Sequence, residues 1–157
     1  MLPFLVSAAL AGTAWLAPLP TPLAVERPFQ APSAPWGPGH RGVDLSAANG
    51  TLVRSAGAGR VLAAGRIAGR YVVSIEHPGA IALGVTGWRT TYEGVRPRVR
   101  VGEAVLPGSI IGVLDSAGGH CSCLHWGLRR GTSYADPLLL LSRSIVLKPL
   151  RRPSPPP

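Results

Sequence analysis

Between Thr51 and Arg129 the chain alternates short apolar, β-branched stretches with glycine and proline. Thr51–Ala56, Arg60–Ala64, Tyr71–His77, Thr90–Val95, Val105–Leu106, Ser109–Leu114 and Cys123–Arg129 are rich in Val, Ile, Thr and Leu. Turn-forming residues bound most of them, so each reads as a strand. No stretch sustains the 3.6-residue apolar period of a long helix. Short strands at this density predict an all-β domain, a compact antiparallel sandwich or barrel-like hybrid. One brief helix is expected at Asp136–Leu141, with Asp136 as N-cap and Pro137 at the first helical position.

The ends follow other patterns. Met1 to Ala17 (MLPFLVSAALAGTAWLA) is apolar and carries no charged side chain. Pro18 and Pro20 follow too soon for a comfortable membrane span, so residues 1–24 read as a secretory signal, although no Lys or Arg precedes the apolar run. A processing point is expected near Gly12-Thr13-Ala14 or later at Ala24, and nothing before Val25 is expected in the core. Residues 25–38 belong to a proline-rich stretch read as a linker whose end wraps onto the domain through Trp36. Residues 39–142 form the domain, and the basic, proline-rich residues 143–157 read as a disordered tail.

Composition adds an electrostatic expectation. The 157 residues include 16 Lys+Arg against 7 Asp+Glu, a net charge of +9, yet only 15% are charged. About a quarter is usual. Such a surplus attracts polyanions, whether nucleic acid, anionic lipid headgroups or the phosphate polymers of a cell envelope, and arginine-rich drift in a GC-rich genome is an equal alternative. The arginines are scattered, without the run that would argue for nucleic acid, so no nucleic-acid partner is expected.

Candidate chemistry lies in two places. Gly39-His40-Arg41-Gly42-Val43-Asp44-Leu45 sets an imidazole and a carboxylate four residues apart. In extended chain that even offset shares one face. Downstream, Cys121-Ser122-Cys123-Leu124-His125-Trp126-Gly127 places Cys123 and His125 on one strand face. His40, Asp44 and His125 would supply three ligands and leave a coordination position open, the arrangement of a catalytic zinc site. A His near an Asp is more often a hydrogen-bonded pair, so spacing alone is weak. His77, at a strand end, reads as a satisfied structural histidine, and Trp126 as packing beneath the site.

The order of flanking motifs strengthens this reading. After His-x-Gly-x-Asp-Leu come Ala47-Ala48-Asn49-Gly50-Thr51-Leu52-Val53 and Ala58-Gly59-Arg60-Val61. A strand ending in His77, a Tyr92 segment, Val101-Gly102-Glu103-Ala104-Val105, Pro107-Gly108-Ser109-Ile110-Ile111-Gly112 and Leu124-His125-Trp126-Gly127-Leu128 follow. This ordered set resembles the lysostaphin-like murein endopeptidases (LytM-type, duplicated hybrid motif) over about a hundred residues. The resemblance implies a compact β-sheet domain with a groove holding one Zn²⁺ on His40, Asp44 and His125; a monomer is expected. It also implies hydrolysis of peptide bonds in peptidoglycan outside the cytoplasm.

The chain departs from the family pattern at two positions. Cys123 stands where the first histidine of a His-x-His pair assists proton transfer, and Gly94 stands where a histidine follows the tyrosine by two residues. Tyr92 remains as a catalytic candidate, with Cys123 itself and His120, from the preceding loop, as further ones. Glu93 is a weaker substitute, because alternation turns it away from the face of Tyr92 and Gly94. Cys121 and Cys123 are expected as a disulfide or free thiols, the disulfide needing a bend at Ser122; Cys123 as a fourth zinc ligand is the other possibility. A second function remains open: a catalytically degenerate domain that binds wall peptide or regulates a partner hydrolase.

Overall fold

The computed structural model describes residues 14–78, 86–119 and 121–142. Its strands are β1 (Val25–Arg27), β2 (Val43–Ser46), β3 (Leu52–Arg54), β4 (Gly59–Ile67), β5 (Arg70–Glu76), β6 (Arg89–Glu93), β7 (Val95–Pro97), β8 (Ala104–Val105), β9 (Ile110–Leu114), β10 (Cys123–Arg130) and β11 (Ser133–Ala135). A 3-10 turn at Ser116–Gly118 and a helix α1 at Leu139–Ser142 complete them. The large sheet runs β1-β2-β10-β6-β5-β4-β8, with β11 also on β10, and a smaller sheet runs β3-β9-β7. All of these pairings are antiparallel. The fold is therefore all-β, as the strand pattern predicts, with the helix confined to the C-terminal end. Among the described residues no helix is long and apolar enough to cross a membrane.

Alternation builds the core. Val43 and Leu45 on β2, Leu124, Trp126 and Leu128 on β10, and Val73 and Ile75 on β5 are essentially inaccessible. Register pairs them across strands, Val43 with Trp126 and Leu45 with Leu124. The residues between them must then face the other side, and Asp44 pairs with His125. Val53, Val95, Ile111 and Leu114 of the smaller sheet close the same core.

Several boundaries move. The expected strand Thr90–Val95 is two strands, split at Gly94, whose φ of 85° lies in the left-handed region. β4 runs on to Ile67 and returns through Ala68 and Gly69, with φ of 50° and 80°, the pattern of a tight hairpin. α1 begins later than expected. Asp136 Oδ1 still accepts from the Leu138 amide at 2.9 Å, so the capping role stands ahead of a loosely wound first turn.

The N-terminal expectation is corrected more deeply. The proline-rich stretch contributes β1, and Gln30 and His40 form an isolated bridge. Leu19 is only 5% exposed and belongs to the core, with Trp15 and Leu23 packed against it. The Arg54 amide on edge strand β3 donates to the Pro18 carbonyl, and the Leu16 amide donates to Ala56. A proline segment suits this task, since it accepts hydrogen bonds from an open edge and offers few donors of its own. Most of the apolar start (residues 1–13) and the tail (143–157) lie outside the described residues.

Candidate functional site

β2 and β10 lie side by side, and their register brings Asp44 opposite His125. His40, just before β2, is held by the bridge to Gln30. Ligand atoms of His40, Asp44 and His125 all fall within 4.8 Å of one another. Asp44 Oδ1 lies 2.7 Å from His125 Nδ1 and 3.2 Å from His40 Nε2. His40 and Asp44 are each 5% exposed.

The His40 tautomer follows from its surroundings. Nδ1 lies 2.8 Å from the Pro28 carbonyl, which can only accept, so Nδ1 carries the proton and donates. In the neutral ring Nε2 is then the lone-pair nitrogen, buried, without a hydrogen-bond partner and 3.2 Å from the Asp44 carboxylate. In that tautomer two electron-rich atoms face each other, and they repel unless a proton or a metal ion lies between them. An outer hydrogen bond that aims the opposite nitrogen is the usual support of a metal-ligating histidine. Two imidazole nitrogens and one carboxylate oxygen also form a donor set suited to zinc. By its donors, its burial and the orphaned Nε2, the cluster fits a divalent metal.

Gly42 makes the convergence possible. A Cβ there would sit 2.5 Å from the Trp126 carbonyl oxygen and 2.8 Å from both Cε1 and Nε2 of His125. The His125 ring occupies the volume of the side chain that residue 42 lacks.

The catalytic candidates are not gathered in the same way. Tyr92 pairs with Trp126 and lies wholly buried on the core side of the sheet, opposite the face of Asp44 and His125. Its hydroxyl accepts from the Ala56 amide at 2.9 Å and shares a 3.0 Å hydrogen bond with Thr90. Burial raises its pKa above the ordinary range, and those hydrogen bonds only partly offset it. The catalytic assignment of Tyr92 is thus corrected: the residue is a core hydrogen-bonding group. Cys123 forms a disulfide with Cys121, whose Cα lies 5.1 Å away. The backbone bends at Cys121 and Ser122 before β10 begins, which brings the thiols within bridging distance. A disulfide sulfur has no proton to move and no thiolate to ligate, so Cys123 is neither base nor ligand in this state. His120 lies outside the described residues.

Glu93 does not turn away from the site. It pairs directly with His125 and so belongs to the face of the cluster, where Arg70 Nη1 donates to it at 2.9 Å. Strand alternation does turn Glu93 away from Tyr92 and Gly94, and it is Glu93 that shares the face of Asp44 and His125. His77 is the structural histidine expected. Its Nδ1 donates to the Ala58 carbonyl at 2.7 Å and its Nε2 meets Thr90 Oγ1 at 2.7 Å. Burial lowers its pKa below 6.5, with the Ala58 bond opposing.

Comparison with known proteins bears on the family and the fold. Residues 38–137 match the model of Peptidase family M23. Uncharacterized proteins of Mycobacterium tuberculosis and Mycobacterium bovis are 48% identical over 141 residues, covering 85% of this chain and 54% of theirs. The chain thus spans about half the length of those relatives. Among solved structures, the catalytic domain of lysostaphin from Staphylococcus simulans superposes with a TM-score of 0.61 at 24% identity, covering 76% of this chain and 92% of that one. A zinc-containing peptidase from Vibrio cholerae gives a TM-score of 0.61 at 20% identity, covering 78% and 38%. At these identities the structural likeness speaks for the fold. The family match spans most of the chain, from the strap before His40 to the helix cap beyond β11, and on that ground the chain belongs to peptidase family M23.

Proposed function

We propose that the chain is a zinc-dependent metalloendopeptidase that hydrolyses peptide bonds of bacterial cell-wall peptidoglycan. The observation that carries this reading is the buried His40 Nε2, made the lone-pair nitrogen of the neutral ring by the Nδ1 hydrogen bond to Pro28 and set, with His125 Nδ1, against Asp44. His40, Asp44 and His125 would hold one ion. Zinc, when bound, supplies Lewis acidity towards a peptide carbonyl. The Pro28 carbonyl fixes the His40 ring, Asp44 brings the negative charge, and Gly42 leaves room for the His125 imidazole. An exported location belongs to the same proposal: the Cys121–Cys123 disulfide suits an oxidising compartment, and the net charge of +9 suits an anionic envelope.

A second reading keeps the fold and the metal but not the cutting: a domain that binds wall peptide or regulates a partner hydrolase. What favours it is Cys123 locked in a disulfide and glycine at 94, two positions at which the family pattern has histidine. General acid–base help contributes about 10²–10⁴-fold in rate, so its loss matters. One experiment separates the readings. The disulfide-intact protein is assayed for bound zinc and for release of new amino termini from cell walls of several bacteria. Zinc with release, both lost in Asp44→Ala, supports the enzyme. A zinc-loaded parent that releases nothing from any wall while still binding it supports the second reading.

A further inference from the structure

Along β10 the residues opposite the core are Cys123, His125, Gly127 and Arg129. Arg129 is four residues beyond His125 on that face, about 13 Å away at about 3.3–3.4 Å per residue. Gly127, between them, has no side chain, and the Thr91 side chain and the Arg41 carbonyl form the floor there. At the Arg129 end lies a cavity of about 270 Å³ lined by Pro35, Trp36, Arg41, Arg129, Thr132 and Tyr134. The guanidinium carbons of Arg41 and Arg129 each lie 5.6 Å from the centre of the Tyr134 ring. Each cation gains from the face of that ring, and both line the same cavity.

Neither cation meets a carboxylate among the described residues. Arg41 Nη2 donates to the Pro35 and Gly37 carbonyls, and Arg129 Nη2 donates to the Gly131 carbonyl. The Arg129 Nε is buried with no partner. A guanidinium offers five N–H donors in a planar fork matched to a carboxylate, so both retain capacity for one. Trp36 is 91% exposed at the rim, an apolar plate with nothing of its own to cover.

We propose that Arg41, Arg129 and Tyr134 form a carboxylate-binding subsite for an extended acidic peptide lying along β10, with the carboxylate about four residues from the metal cluster. The peptide nature of the ligand rests on the proposed function; the carboxylate rests on the two uncompensated guanidiniums. Trp36 covers the apolar part of the same ligand.

The test compares two blocked hexapeptides, acetyl-Glu-Gly-Gly-Gly-Gly-Glu-amide and its analogue with glutamine for both glutamates. Their binding to the full chain is measured by calorimetry at low and physiological salt, with zinc affinity measured alongside. The Glu peptide should bind the parent at least about fivefold more tightly than the Gln peptide. Arg129→Gln should abolish that preference and leave zinc affinity unchanged. Equal binding of both peptides to the parent overturns the proposal, and so does a preference that survives in folded Arg129→Gln. If Arg129→Gln does not fold, Arg129→Lys keeps the charge and loses the fork; an undiminished preference there overturns the proposal. Wall hydrolysis reads out separately. A parent that prefers the Glu peptide but cuts no wall retains this subsite and loses the peptidase reading.

Discussion

Replacing Gly42 by alanine adds one methyl group at the point where β2 is entered and the His125 ring lies closest. The new Cβ would stand 2.5 Å from the Trp126 carbonyl oxygen and 2.8 Å from two ring atoms of His125. Ordinary contacts of this kind need more than 3.4 Å, so the neighbours must move by most of an ångström. Trp126 is poorly placed to yield, because it is wholly buried and paired with both Val43 and Tyr92. The His125 ring is the softer neighbour and turns away, taking Nδ1 from Asp44. Overpacking of this kind costs about 1–3 kcal/mol of stability. Disturbing the support of a metal ligand typically costs about 10–100-fold in metal affinity, and that is the loss expected here. The assay is zinc competition against a chromophoric chelator, with urea unfolding in parallel. Gly57→Ala is the control, since the nearest atoms to its Cβ belong to the Trp15 ring and to none of the metal ligands. It should cost stability and leave zinc affinity unchanged. A folded Gly42→Ala protein with the parent's zinc affinity would refute the argument that this glycine makes room for a ligand.

Four further outcomes are expected. Asp44→Ala removes the group on which both histidines converge, so bound zinc and any wall hydrolysis should vanish together; retained zinc would count against the ligand set. Tyr92→Phe leaves the Ala56 amide without its acceptor and should cost about 1–3 kcal/mol of stability with zinc affinity unchanged; loss of zinc at parental stability would contradict the core role. If the protein cuts, His120→Ala should lower kcat by about 10²-fold or more at unchanged zinc content, and undiminished turnover would remove His120 as the proton-transfer group. His77 has a folded-state pKa below its ordinary 6.5, so the folded protein binds fewer protons there than the unfolded chain. Its contribution to stability is complete above about pH 6.5 and falls as pH drops through the depressed value. His77→Gln should flatten that part of the urea-unfolding profile, and an identical slope in parent and variant would exclude His77 as its cause.

The sequence by itself determined the all-β class and the positions of most strands, because side-chain period and turn residues are local properties. Motif order also pointed to a single His-Asp-His set, since His40, Asp44 and His125 sit in short segments whose spacing is readable along the chain. Which face of the sheet carries the chemistry was decided only by tertiary structure. Alternation says that Tyr92 and Glu93 point opposite ways, but not which of them shares the face of His125; the β6–β10 register decides it. The state of Cys123 likewise depended on a bend at Ser122 that residue spacing does not specify. The proline-rich stretch looked like a linker because proline opposes regular ladders, yet an open edge on β3 and a gap in the core took up Pro18 and Leu19. The Arg41–Tyr134–Arg129 cluster joins residues about ninety positions apart in sequence, and only the folding of β10 and β11 onto the loop before β2 brings them together.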